Sequence, residues 1–145
     1  MMDRARHIVI DNDFDRVLVD ILRAFHEADL EIVARVDVRE HFKRTLGRDF
    51  RRHIVFDVWS PDLALKALRE DLELGTFLTT RFVIYELADG ETVVAATEGL
   101  APFLADRTRD TEHAALSALA DREHERAARV LATLRRRVGS FPQVA

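Results

Sequence analysis

Asp89-Gly90 separates two runs of β-forming residues, and this dipeptide restricts the fold more than any other feature of the sequence. Asp-Gly favours a tight hairpin because the turn needs a backbone with positive φ. The pattern predicts strands over Thr79–Leu87 and Glu91–Thr97. Since a lone hairpin is only marginally stable in water, further strands and helices have to cover it.

Those further elements can be read from the spacing of apolar residues, which alternate in strands and recur every three or four positions in helices. Ser60-Pro61 is typical of a helix start, because Ser caps free amides and Pro tolerates the first helical position. Leu72–Leu78 is a hydrophobic connection. Strands are predicted over Arg6–Asp11, Leu30–Val36 and Arg51–Trp59, and helices over Phe14–Ala28, Val38–Leu46, from Ser60 onward, and over Thr108–Val138.

This order of elements predicts a two-layer α+β domain, with about five strands, helices on one face of the sheet and a long C-terminal helix. The length of 145 residues suits one domain over residues 1–145. The periodicity also predicts the core. Its expected members are Ile8, Ile10, Phe14, Val17, Leu18, Ile21, Leu22, Ile32, Ile54, Phe56, Leu68, Phe82, Ile84 and Leu131.

Composition excludes several classes of protein. The absence of Cys excludes a disulfide framework, a thiolate nucleophile and a metal site built on sulfur. Apolar runs fall short of the roughly 20 residues of a membrane span, and the N-terminus lacks a signal-peptide pattern. We therefore expect a cytoplasmic protein that has no membrane partner. Only Lys43 and Lys66 among the 22 basic residues are lysines, a bias that indicates a bacterial source. A net charge of -4 argues against a nucleic-acid partner.

Two segments, Ser60–Leu68 (SPDLALKAL) and Leu72–Val94, resemble domain-of-unknown-function family 302. The resemblance covers about residues 8–134 and implies a small bacterial α+β protein with a TBP-like fold. It implies no reaction. The family's Cys-Asn-Pro is replaced by Trp59-Ser60-Pro61 and its Pro-Cys by Thr79-Thr80, so both family cysteines are absent. Any thiol or metal role of those cysteines cannot operate in this chain.

The sheet face opposite the helices is the candidate site. If Ile54, Phe56 and Val58 face the core, alternate residues of the same strand face outward. Aromatic rings beside Arg and His could stack on a flat anionic ligand and hydrogen-bond to it, or the face could be buried in a homodimer. A slip of one residue would exchange the two faces. The candidate ligand-binding residues are Arg35, Arg51, His53, Asp57, Trp59, Arg81 and Tyr85.

No catalytic motif appears in the sequence, which lacks both G-x-S-x-G and a Walker loop. Asp110-Thr-Glu-His113 recurs as Asp121-Arg-Glu-His124 on one helix face, but about 16 Å along the axis separates the two copies, so they cannot share one metal ion. We interpret this face as solvated and expect no metal and no cofactor.

Together these observations predict a non-enzymatic binding or assembly module that acts through the outer sheet face as a homodimer. The alternative is a small-molecule enzyme or ligand sensor that has a pocket near Trp59 and the Leu72–Leu78 connection.

Overall fold

The computed structural model describes residues 6–76, 78–87, 90–99 and 111–139. Within these ranges the order of strands and helices is the one that the sequence predicts. The elements are β1 (Arg6–Ile10), α1 (Phe14–Glu27), β2 (Glu31–Asp37), α2 (Val38–Leu46), β3 (His53–Trp59), α3 (Pro61–Glu70), a 3-10 helix over Leu72–Thr76, β4 (Thr80–Glu86), β5 (Thr92–Glu98) and α4 (Thr111–Gly139).

The five strands form one antiparallel sheet in the order β1-β5-β4-β3-β2. The predicted hairpin joins β4 to β5, and the Leu87 amide donates to the Glu91 carbonyl at 2.8 Å. Gly90 has φ 78, the positive value that such a turn needs. Asp89 lies outside the described residues. Gly47 has φ 64 and ends α2, as expected of a glycine after a helix.

Helices α1 and α4 pack on one face of this sheet and form the main core with it. Phe25 of α1 meets the rings of Phe56 and Phe82 edge-on, at centroid distances of 5.6 and 5.0 Å. Ile54, Phe56 and Val58 are all buried, so the predicted orientation of β3 is confirmed. Most of the predicted core is buried as well; the half-buried exceptions are Leu18, Leu22 and Leu68.

Strand β2 departs from the prediction. It lies at the edge of the sheet, and Ile32, predicted to be in the core, is 41% exposed. The register to β3 shifts between Ile32 and Ala34, which inserts one extra residue. Such a bulge exchanges the two faces for the rest of the strand. As a result Arg35 is opposite Phe56, its guanidinium 5.5 Å from the ring centroid. The prediction that Arg35 points outward is therefore wrong.

A second cluster of apolar side chains lies where α3, the 3-10 helix and α4 meet. Trp59 packs here with Leu74 and Leu78 of the Leu72–Leu78 connection. The predicted outward Trp is therefore half-buried by its own chain. Since burial of this large ring stabilises the fold, the connection is held against the end of β3.

Trp59 is the only tryptophan, so its fluorescence tests this packing directly. We expect a blue-shifted emission maximum that does not change on dilution, because the cover is intramolecular. An emission maximum that moves to the red on dilution would instead show that a second chain covers the ring. Free quenching by iodide at all concentrations would contradict the packing altogether.

Candidate functional site

The outer face of the sheet, which we call the outer face throughout, is the side opposite α1 and α4. The strand registers place three cross-strand rows on it. The first row is Val36, Val55, Val83, Ala95 and His7, the second is His53, Tyr85, Val93 and Val9, and the third, which is more polar, is Ala34, Asp57, Arg81 and Thr97. At its two edges Val36 is 45% exposed and Val9 is 53% exposed. Two of the three rows are thus mainly apolar; Val93 is already buried within the chain, whereas the valines at the two edges remain in contact with water.

One ion pair crosses the outer face. Asp57 and Arg81 are direct partners across β3 and β4. Arg81 donates from Nε to Asp57 Oδ1 at 2.9 Å and from Nη2 to Oδ2 at 3.2 Å. These two hydrogen bonds raise the pKa of Arg81 above its ordinary value. Since each charge has its partner, this pair leaves no net charge on the outer face.

Aromatic rings border the outer face next to α2. The rings of Phe42 and Phe50 meet edge-on at 5.3 Å, and Phe50 lies 6.3 Å from His53. The imidazole of His53 stacks on Tyr85 at 5.4 Å and 21°. Burial, and then the charge of Arg51, lower the pKa of His53. These contacts favour a neutral imidazole within an apolar border.

The structure brings together four of the seven predicted site residues. His53, Asp57, Arg81 and Tyr85 share the outer face. Arg51 lies just before β3, where its Nη1 donates to the Glu86 carbonyl at 3.4 Å. The other two are elsewhere: Arg35 lies on the core side and Trp59 in the second cluster. Ligand binding by these seven residues stays a prediction.

A buried polar cluster is not apparent from the sequence pattern. Glu123 of α4 is only 3% exposed, although carboxylates are rarely buried without a cation. Ser60 Oγ donates to its Oε2 at 2.6 Å, and Thr80 Oγ1 donates to its Oε1 at 3.5 Å. Ser60 lies at the cap position directly before α3, as predicted, but its side chain caps no amide and binds Glu123 instead.

Burial is the main reason why the pKa of Glu123 is raised. The nearby charge of Glu98 acts in the same direction, whereas the hydrogen bond from Ser60 and the charge of Arg126 act against it. Glu98 is itself buried and binds the guanidinium of Arg6 and, at 2.9 Å, Nδ1 of His124. This cluster ties α4 to the ends of β1, β4 and β5.

The cluster corrects our interpretation of the Asp-x-Glu-His repeat. In the second copy Glu123 is buried, so that part of the helix is not a solvated face. One signal could have revealed this: Ala120 and Ala127, three residues before Glu123 and four after it, are both buried apolar positions. The side chains of the first copy lie outside the described residues.

Among the described residues two open cavities are found, and Trp59 lines neither of them. The larger, about 390 Å³, is bordered by His26, Asp29, Glu31, Asp62 and Arg126 among others. Arg126 donates to both carboxylate oxygens of Asp62, at 2.8 and 3.1 Å, and this hydrogen bonding lowers the pKa of Asp62 to about 2. The smaller, about 300 Å³, lies between β2 and α2.

Neither a metal cluster nor a membrane span occurs in the part of the chain that the structure describes. Among those residues, no group of three or more His, Asp or Glu side chains is arranged to hold a metal ion. None of the described helices is both long enough and apolar enough to span a membrane.

The antiparallel sheet and the two helices packed on it, one of which is the long C-terminal helix, define a single-domain α+β protein. Residues 7–134 match the family model of DUF302, a domain of unknown function, and the chain belongs to that family. A solved structure with a similar fold is the uncharacterized conserved protein DUF302 from Bacillus stearothermophilus, with a TM-score of 0.67 and 19% identity. The match covers 93% of this chain and 98% of that one. No curated protein matches the sequence.

Proposed function

We propose that this DUF302 protein is a non-enzymatic assembly module that forms a homodimer through its outer face. One observation carries the proposal: an apolar face with exposed valines at both edges lies opposite the helices. Contiguous apolar surface on a soluble domain is typical of an interaction site. The half-buried Val55 and Val83 extend this surface across the central strands.

The charges of the outer face favour a second copy as the partner. In a two-fold dimer the same patch meets itself, so a net charge on the patch would repel the same net charge on the second copy. Asp57 and Arg81 neutralise each other within one chain, which removes that repulsion. The apolar rows can then pack on each other while the ion pair stays intact.

The size of the outer face sets the expected strength of the dimer. Five strands of five to seven residues form a surface of about 24 by 20 Å. Two such faces together bury on the order of 1,000 Å², the lower end for a specific interface. We therefore expect a reversible dimer and not an obligate one.

The contacts of Trp59 support this proposal over the small-molecule alternative. That alternative needs a pocket between Trp59 and the Leu72–Leu78 connection, but Trp59 packs against the apolar cluster that includes Leu74 and Leu78. The outer face itself is a sheet surface and not a deep cleft of the kind that small ligands usually occupy. A flat, neutral, apolar surface fits a protein partner better.

Sedimentation equilibrium across micromolar concentrations tests the proposal. Val9→Arg and Val36→Arg each place a charge at one edge of the outer face, and each is expected to raise the dimer Kd at least about tenfold, because a buried unpaired charge is costly. Val19→Arg is the matched control, since Val19 is 56% exposed but lies on α1.

Two results would overturn the proposal. One is a wild-type protein that stays monomeric at the highest concentration. The other is a dimer that Val19→Arg weakens as much as the two outer-face variants do, because association would then run through another surface.

A further inference from the structure

We infer that protons regulate the self-association of this protein, because His7 and His53 both lie on the outer face and would be buried by a second copy. The inference rests on the proposed function and names its regulation. On this face His7 lies on the edge strand β1, opposite Ala95, and His53 lies on β3, opposite Tyr85. Each homodimer would therefore bury four imidazoles.

The surroundings of His53 oppose a positive charge. Its ring stacks on Tyr85, and the Arg51 guanidinium is close enough to disfavour a proton on the imidazole. A small cavity of about 20 Å³ beside it is lined by Asp37, Arg39 and Arg52, among others. Its lining thus includes one carboxylate and two guanidiniums, and the guanidinium of Arg52 also pairs with Asp15 Oδ1 at 2.7 Å. Asp37 also accepts the hydrogen bond from the Glu40 amide that caps α2.

The other charged groups of the outer face offer no better partner. Asp57 lies on the same strand as His53, but both of its carboxylate oxygens accept hydrogen bonds from Arg81. Glu31 is opposite Trp59 at the far end of β3, six residues from His53 and therefore about 20 Å along the strand. Neither Asp57 nor Glu31 therefore offers a free carboxylate that could pair with a protonated imidazole in the interface.

His7 lies in similarly apolar surroundings on the outer face. By register its cross-strand neighbour is Ala95, and Val83 follows in the same row. Its chain neighbour Arg6 points to the opposite side of the sheet, where it binds Glu98. A proton on His7 would therefore place a charge against the valines of the second copy.

The consequence is a dimer that forms near neutral pH and dissociates in acid. An ordinary imidazole gains its proton near pH 6.5, burial and the charge of Arg51 move the pKa of His53 below that value, and burying a charged imidazole in an apolar interface is costly. Contact with a second copy would bury both rings further, so the dimer would bind protons less readily than the free monomer. By linkage, acid then favours the monomer.

Sedimentation equilibrium at about pH 7.5 and about pH 5.5 tests this inference. We expect the dimer Kd to rise at least about tenfold at the lower pH. A rise of this size is expected when the monomer takes up one or more protons that the dimer does not. The double variant His7→Gln/His53→Gln should keep its Kd nearly constant between the two pH values. His26→Gln is the matched control, because His26 lies on α1 beside the larger cavity and should leave the wild-type response unchanged.

The outcomes separate this inference from the proposed function. A wild-type dimer whose Kd is the same at both pH values overturns the regulation alone. Equal loss of association in acid by the wild type and the double variant also overturns it, because other groups would then be responsible. A wild-type protein that is monomeric at both pH values overturns the homodimer and its regulation together.

Discussion

Replacing Phe56 with alanine is expected to lower the free energy of unfolding by about 3–5 kcal/mol. Phe56 lies at the centre of the sheet and is fully buried. Its ring meets Phe25 edge-on, and the Arg35 guanidinium lies over the ring face. Alanine would leave a cavity that the β-sheet backbone cannot close by moving. Since small domains are stable by only about 5–15 kcal/mol, this loss is a large share of the total.

Phe50→Ala is the matched control, since Phe50 is 42% exposed and makes its ring contacts at the border of the outer face. We expect it to cost less than about 1 kcal/mol in the same urea titration. If the two variants were destabilised equally, the assignment of Phe56 to the centre of the core would be wrong.

Replacing Glu123 with alanine is expected to cost about 2–4 kcal/mol, from the lost packing and from the hydroxyl groups of Ser60 and Thr80 left without an acceptor. The cost is large because all three groups are buried. Glu125→Ala, two residues along the same helix and facing away from the cluster, should cost little. Thermal and urea unfolding measure both, and equal effects would contradict the role of the cluster.

Glu123→Gln separates the charge of this side chain from its shape. Burial raises the pKa of Glu123 above its ordinary value of 4.5, so the folded state prefers the neutral acid. The stabilisation from the neutral form is fully present below that value and is lost as pH rises through the folded pKa. The wild type should thus lose stability relative to Glu123→Gln as pH increases. A difference that does not change with pH would show that folding leaves the pKa of Glu123 unshifted.

The faces of most strands could be predicted because their alternation is unbroken. Ile54, Phe56 and Val58 alternate with His53 and Asp57, and the structure confirms that assignment. The alternation in β2 is just as regular in the sequence, yet one extra residue near Val33 reverses the orientation of the residues after it. A bulge depends on how two strands pair, and the pattern of one strand does not contain that information.

Two other errors have the same origin in long-range contacts. Ile32 is as apolar as the core residues, but it lies on an edge strand that α1 and α4 leave exposed. Ser60 is a favourable cap by local rules, and its actual partner Glu123 lies 63 residues further along the chain. Local pattern determines which element forms, whereas the choice of partner is made by the assembled fold.

The pairing of β1 with β5 has a consequence for biosynthesis. The first strand of the sheet finds its neighbour only when Thr92–Glu98 has been made, and α1 completes its packing only against α4. Contacts so distant in the chain have to wait for their partners. An emerging chain would therefore carry the apolar stripe of α1 uncovered until α4 has left the ribosome, and apolar surface exposed in this way favours aggregation.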